Sequence, residues 1–242
     1  MKKIIIIGAT SGIGQATAEE FLKNGYQVGG CGRNEAPLKE MKQKWGARFH
    51  YQIVDIKQTE VLHEKMDQIV NRMDSVDMVL VASSISKRNP SLEWQKEKDV
   101  LQTNIMGYSR VLLYFFAYFK KQGSGHIAGI TSIAKLFGNP NPAYNASKAF
   151  EAVYLDGWRS LLKPYNIHVT EIIPGFVDTP LIRNRQNTFW LVPVRKAATQ
   201  IRRGLIKKKR KLYISKRWYF VYCLIRLIPD RIIESLIRKN AD

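Results

Sequence analysis

The chain has 242 residues, 45% apolar and 11% aromatic, with 39 Lys+Arg against 20 Asp+Glu and a formal net charge of +19. That length suits one α/β domain with an ample buried core, and the composition excludes a wholly disordered chain. Two cysteines, Cys31 and Cys223, make neither a disulfide framework nor a metal-ligand spacing, which points to a reducing compartment.

The opening MKKIIIIGATSG holds only four apolar residues before Gly8, too few for the apolar region of a signal peptide. No window approaches the ~20 apolar residues of a spanning helix. A cytoplasmic protein is expected. The charge is uneven: residues 183–242 carry seventeen Lys/Arg and three acids, a net of +14, leaving +5 for the rest. An ordinary body and a basic final quarter need separate explanations.

In chain order, strands are expected over 3–7, 27–31, 48–54, 78–81, 126–131 and 168–173, with helices over 13–23, 36–44, 60–72, 92–120 and 143–163. Runs such as IIII and VLVA are continuously apolar, as a parallel sheet covered on both faces requires. The alternation argues one doubly wound α/β domain. Within 92–120, Gly107 marks a bend or a close packing contact.

The first strand runs into Gly8-Ala-Thr10-Ser11-Gly12-Ile13-Gly14, and a helix follows. Glycine lets the backbone approach a pyrophosphate, while the free N–H groups and dipole of the helix face it. After the second strand comes Gly32-Arg33-Asn34, where an NAD-preferring protein would carry a carboxylate for the ribose 2′-hydroxyl. Arg33 suits a 2′-phosphate instead, so NADP(H) is expected in preference to NAD(H). Asp55 and Ile56, after the third strand, are within reach of the adenine.

Ser132 ends a strand, and twelve residues later comes Tyr144-Asn-Ala-Ser-Lys148. Tyrosine and lysine at i and i+4 share a helical face. A lysine ammonium beside a phenol favours the phenolate and equips it for acid–base work near neutral pH. Ser132 is placed to hydrogen-bond a carbonyl or alkoxide oxygen.

With these motifs in place the chain resembles a short-chain dehydrogenase/reductase of the ~250-residue type. The likeness is dense from Met1 to Pro180 and looser to about Ile214, carried by GATSGIG, Asp55, Asn104 in QTNIMG, Ser132, YNASK and PGFVDTP. The resemblance implies a Rossmann-like, seven-stranded parallel sheet with helices on both faces, and a tetrad of Asn104, Ser132, Tyr144 and Lys148. In it Tyr144 would be the acid–base, and Lys148 would bind the nicotinamide ribose and tune the tyrosine. Asn104 would hold a water of the proton relay. Pro174, Gly175, Val177 and Thr179 would hold the nicotinamide end of the cofactor, and Ser83 would stand beside the adenine ribose. Two departures stand out: Ile7 where threonine is usual, and Val81-Ala82-Ser83-Ser84 in place of Asn-Asn-Ala-Gly.

Four histidines (His50, His63, His126, His168) have no ligand spacing and are expected at strand ends or on the surface. Tyr114, Phe115, Phe116, Tyr118 and Phe119 read as core or oligomer packing. Met41, Met66, Met73 and Met106 read as core filler.

Residues 181–191 are expected to form a substrate flap with Phe189 and Trp190 as apolar contacts, followed by a helix over 197–206 and a last strand over 211–214. Residues 1–214 would be the catalytic domain and 215–242 a basic, apolar helical extension. Residues 218–228 are nearly unbroken in apolarity, Pro229 interrupts them, and Ile232-Ile233 and Leu236-Ile237 form a second amphipathic pair. Three readings stay open: helices closing the cleft or a homodimer or homotetramer seam, an interfacial helix on an anionic membrane, or a nucleic-acid contact through KKKRK, which no recognition module surrounds. The functional expectation is hydride transfer to or from a small apolar carbonyl or alcohol substrate. The alternative is a dinucleotide-binding interaction protein with little turnover.

Overall fold

The computed structural model describes residues 2–136, 138, 141–182, 188 and 190–225. Seven strands form one parallel sheet: β1 (Lys3–Ile7), β2 (Gln27–Gly32), β3 (Phe49–Ile53), β4 (Met78–Val81), β5 (Gly125–Ile130), β6 (Ile167–Pro174) and β7 (Lys211–Ile214). Their spatial order is β3-β2-β1-β4-β5-β6-β7.

The four isoleucines of β1 show how sequence becomes layers. Alternate side chains of a strand point to opposite faces. Ile5 and Ile7 enter a core built with α3 (Leu62–Arg72), α5 (Tyr108–Gln122) and α6 (Pro142–Leu162). Ile4 and Ile6 enter the other core, with α1 (Gly12–Lys23), α2 (Glu35–Trp45) and α7 (Val194–Ile206). Each fully buried isoleucine contributes roughly 1.5–3 kcal/mol of transfer free energy. Both faces of the central strands β1 and β4 are covered, which is why IIII and MVLV are apolar on both sides, whereas the edge strands β3 and β7 are partly exposed and carry polar residues. β1 lies between β2 and β4, where the winding direction reverses, and a ligand crevice is expected beyond the carboxyl ends of these strands.

The helix expected over 92–120 is interrupted. α4 (Trp94–Leu101) leads into a π-helical turn, Gln102–Gly107, and α5 follows. The wider turn directs Thr103, Asn104 and Gly107 inward. Met106 is left facing outward at 61% exposure, which corrects its reading as core filler. Gly107 is a packing contact: a Cβ there would lie 2.4 Å from the carbonyl oxygen of Ile56. Phe115 and Phe119 lie in the core, with Tyr114, Phe116 and Tyr118 against it. His126 is buried beside Thr170, and burial pushes its imidazole pKa down to about 3, so it is neutral.

The chain continues past β7 into α8 (Arg217–Ile225). α8 is anchored by Trp218, which packs with Ile133, Ile173 and Phe176. Phe189, the end of the 218–228 run and the second amphipathic pair lie outside the described residues. Among the described residues no helix is long and apolar enough to cross a membrane.

Candidate active site

At the carboxyl end of the sheet lies a cleft of about 570 Å³. One wall is the turn between β1 and α1. Ser11 occupies the N-cap position with extended backbone but makes no side-chain cap, and the first turn of α1 carries no acid. The free N–H groups and the positive end of the helix dipole are thus left for an anion. Gly8 has φ +92°, and a Cβ on Gly14 would lie 2.0 Å from the Gly8 carbonyl oxygen. Only glycine permits this approach of backbone to backbone.

At the end of β2 a Cβ on Gly32 would lie 2.5 Å from Thr10 Cγ2. A side chain here would need Thr10 to turn aside, and the next residue, Arg33, supplies a cation. Its guanidinium is largely exposed and stands 4.0 Å from Asp55 Oδ2. Ile56, Ser83 and Ser84 continue the wall, and Ser84 Oγ is buried without a hydrogen-bond partner. Such an orphan hydroxyl fits a polar ligand, as a buried polar group without a partner is costly. Glycine turn, open helix terminus, Arg33 and Ser84 together suit a phosphorylated dinucleotide.

Across the cleft stand Ser132, just past β5, and Tyr144 and Lys148 on α6. Ser132 Oγ accepts from Ala134 N at 3.1 Å, which leaves its proton available to a ligand oxygen. Lys148 Nζ lies 5.7 Å from the centroid of the Tyr144 ring. Pro174, Gly175, Val177 and Thr179 line the same cleft at the end of β6.

Two expected site residues do not line it. Asn34 Oδ1 accepts from Ala36 N at 3.2 Å and caps α2. Asn104 sits behind the wall, bonded to both backbone groups of Ile85 at 3.0 and 2.9 Å and to Ser147 Oγ at 3.0 Å. It fixes the segment after β4 against α6. Thr103, its neighbour in the π-helical turn, does line the cleft and was not singled out from sequence.

A second unexpected feature is acidic. Lys148 Nζ donates to Ile130 O at 3.0 Å and to the two Glu151 oxygens at 3.0 and 2.8 Å, which occupies all three of its protons. Both side chains of this pair are buried. Burial pushes the Glu151 carboxyl up to about 7, against the ammonium of Lys148, and the nearby Glu171 charge adds to the rise. Glu171, buried in β6, is ion-paired with Lys135 and accepts from Thr131 Oγ1 at 2.9 Å. The Tyr108 phenol, buried and close to both carboxylates, is held well above its ordinary pKa. The Tyr144–Lys148 face of α6 thus backs onto buried charge. Among the described residues no cluster of His, Cys, Asp and Glu could hold a metal.

A family described as short chain dehydrogenase matches residues 2–189. Dehydrogenase/reductase SDR family member 7B of Xenopus tropicalis is 30% identical over 193 residues, covering 75% of this chain and 62% of that protein. The chain therefore spans less than two thirds of that relative's length. Serine 3-dehydrogenase of Rhizobium radiobacter is 30% identical over 186 residues, 73% of this chain and 72% of that protein. In fold, the chain matches a short chain dehydrogenase from Burkholderia cenocepacia J2315 in complex with NADP, with a TM-score of 0.82 at 20% identity over 98% of this chain and 99% of that one.

Proposed function

The chain belongs to the short chain dehydrogenase family, and we propose that it is an oxidoreductase that uses NADP(H) in preference to NAD(H) on an apolar carbonyl or alcohol. The observation that carries this reading is the meeting of Ser132, Tyr144 and Lys148 in one cleft with the glycine turn and Arg33.

When bound, the reduced nicotinamide supplies the hydride. The rest falls to the chain's own residues. The turn and the N-terminus of α1 hold the pyrophosphate, and Arg33 holds the 2′-phosphate. Ser132, its oxygen already accepting from Ala134 N, donates its proton as a hydrogen bond to the substrate oxygen. Tyr144 gives its phenolic proton to that oxygen as negative charge develops there. Lys148 acts on Tyr144 through its charge, because its three protons are engaged. To hold the ribose hydroxyls of a bound cofactor it would have to give up one of these contacts. Ile85, Ile133, Phe176, Leu181 and Ile182 line the cleft with hydrocarbon, which favours an apolar substrate.

The test is a turnover screen over aldehydes, ketones, sterols and long-chain acyl compounds with NADPH and NADH. Cofactor oxidation with at least one apolar carbonyl, faster with NADPH, is expected. Tight NADPH binding with no turnover across the panel would favour a dinucleotide-binding interaction protein instead.

A further inference from the structure

We infer that the groove between α7, β7 and α8, together with the outward face of α8, is a docking surface for an anionic lipid membrane. The inference does not depend on the catalytic reading.

The groove has a volume of about 790 Å³, and among the described residues no acid lines it. Besides Lys211, six cations border it: Lys196, Arg203, Lys207, Lys209, Lys216 and Arg217. Among the described residues none of the six forms an ion pair, whereas the neighbouring Lys211 is paired with Asp156 and Glu171. Like charges gathered on one face raise the folding free energy through mutual repulsion. Such a concentration is suited to an anionic partner.

The face of α8 says which kind. Trp218 turns inward at 2% exposure and fixes the helix to the body. The side turned outward carries Tyr219, Phe220, Cys223 and Leu224, with Phe220 and Leu224 at 65% and 62% exposure. A surface helix ordinarily presents its polar stripe to water; this one presents aromatic and aliphatic groups. Trp190 and Leu191 extend the apolar patch beside the groove, and Arg217 stacks on Trp190 at 5.9 Å. Aromatic and aliphatic groups that enter the acyl boundary, bordered by cations at headgroup level, are the chemistry of an interfacial helix. A nucleic acid would reward the cations but gains nothing from the exposed Phe220 and Leu224. The same helix packs Trp218 against Gly175 and Phe176 of the catalytic cleft, so a docked lipid surface lies next to the wall that contacts an apolar substrate.

Sedimentation of the full chain with vesicles tests the assignment. Phosphatidylglycerol-containing vesicles, pure phosphatidylcholine vesicles and a short DNA duplex are compared at low salt and at 0.5 M salt. Binding to the anionic vesicles alone, lost at high salt, is expected, since surface attraction is screened within a Debye length. Each cation near the membrane is worth about fivefold in binding constant. Lys207→Ala with Lys209→Ala should therefore weaken vesicle binding about 25-fold. Phe220→Ser with Leu224→Ser should weaken it at least tenfold, while the melting temperature and NADPH affinity stay unchanged. Failure to bind anionic vesicles at low salt by a folded protein overturns the inference. Preference for the duplex overturns it too, as does vesicle binding that ignores both double variants.

Discussion

Replacing Arg33 by alanine removes a cation at the point where β2 delivers the chain to the cleft. In the free protein the guanidinium stands 4.0 Å from Asp55 and is largely exposed. An ion pair of that kind is worth about 0–1 kcal/mol, so little is lost when the side chain swings to a phosphate. A charge-assisted guanidinium–phosphate contact contributes about 1.5–3 kcal/mol. Allowing for the Asp55 contact, Arg33→Ala should weaken NADPH binding by about 0.5–3 kcal/mol, or about 2- to 150-fold. NADH lacks the phosphate, and its affinity should change by less than about twofold. Fluorescence titration of both reduced cofactors reads the two constants directly. Equal losses for NADPH and NADH, or none for either, would refute the reasoning. Gly32→Asp would bring its Cβ within 2.5 Å of Thr10 Cγ2, so the Thr10 side chain must turn aside to admit the new carboxylate.

Three further substitutions probe other parts of the site. Gly14→Ala sets a methyl group 2.0 Å from Gly8 O, so NADPH and NADH affinities should both fall at least tenfold in the same titration. Glu151→Gln addresses the buried carboxyl, whose pKa rises from the ordinary 4.5 to about 7 on folding. A raised folded pKa gives stability that is complete below about pH 4.5 and is lost as pH rises through 7. The loss is about 3 kcal/mol for the shift from 4.5 to about 7. Urea unfolding should show wild-type stability falling by this amount relative to Glu151→Gln between pH 4.5 and 8, and parallel pH dependences would contradict it. Trp218→Ala removes an anchor of 2% exposure. At about 3–5 kcal/mol for a buried tryptophan, the loss should release α8, seen as faster trypsin cleavage after Lys216 and Arg217 with the body still folded.

Much of the body was legible because its two-sided burial leaves a continuous apolar signature. IIII of β1 and MVLV of β4 are strands with the expected bounds, and β7 likewise. The other strands shift by one residue at their ends, where the ladder and not the composition decides. The π-helical turn at Gln102–Gly107 was hidden, because its extra residue follows from contacts with Ile56 and Ile85 that no local pattern reveals. Ser132, Tyr144 and Lys148 were visible as a spacing. Glu151 was missed although it lies three residues after Lys148 on the same face of α6, and burial three positions from a charged residue leaves little mark in composition. Glu171 did leave a signal: it is the lone acid in the strand IHVTEIIP, directly before an apolar pair. Asn34 satisfied the expected position but not the expected contact, because a helix start claimed its side chain.

The most direct test of hydride transfer with Tyr144 as acid follows the label. Once the screen supplies a carbonyl substrate, NADPH deuterated at the transferable C4 position is consumed by wild-type protein and by Tyr144→Phe. The account predicts deuterium on the former carbonyl carbon of the wild-type product. It also predicts a rate several orders of magnitude lower for Tyr144→Phe, with NADPH affinity within about threefold of wild type. Product without deuterium at that carbon, or turnover by Tyr144→Phe close to wild type, would contradict it.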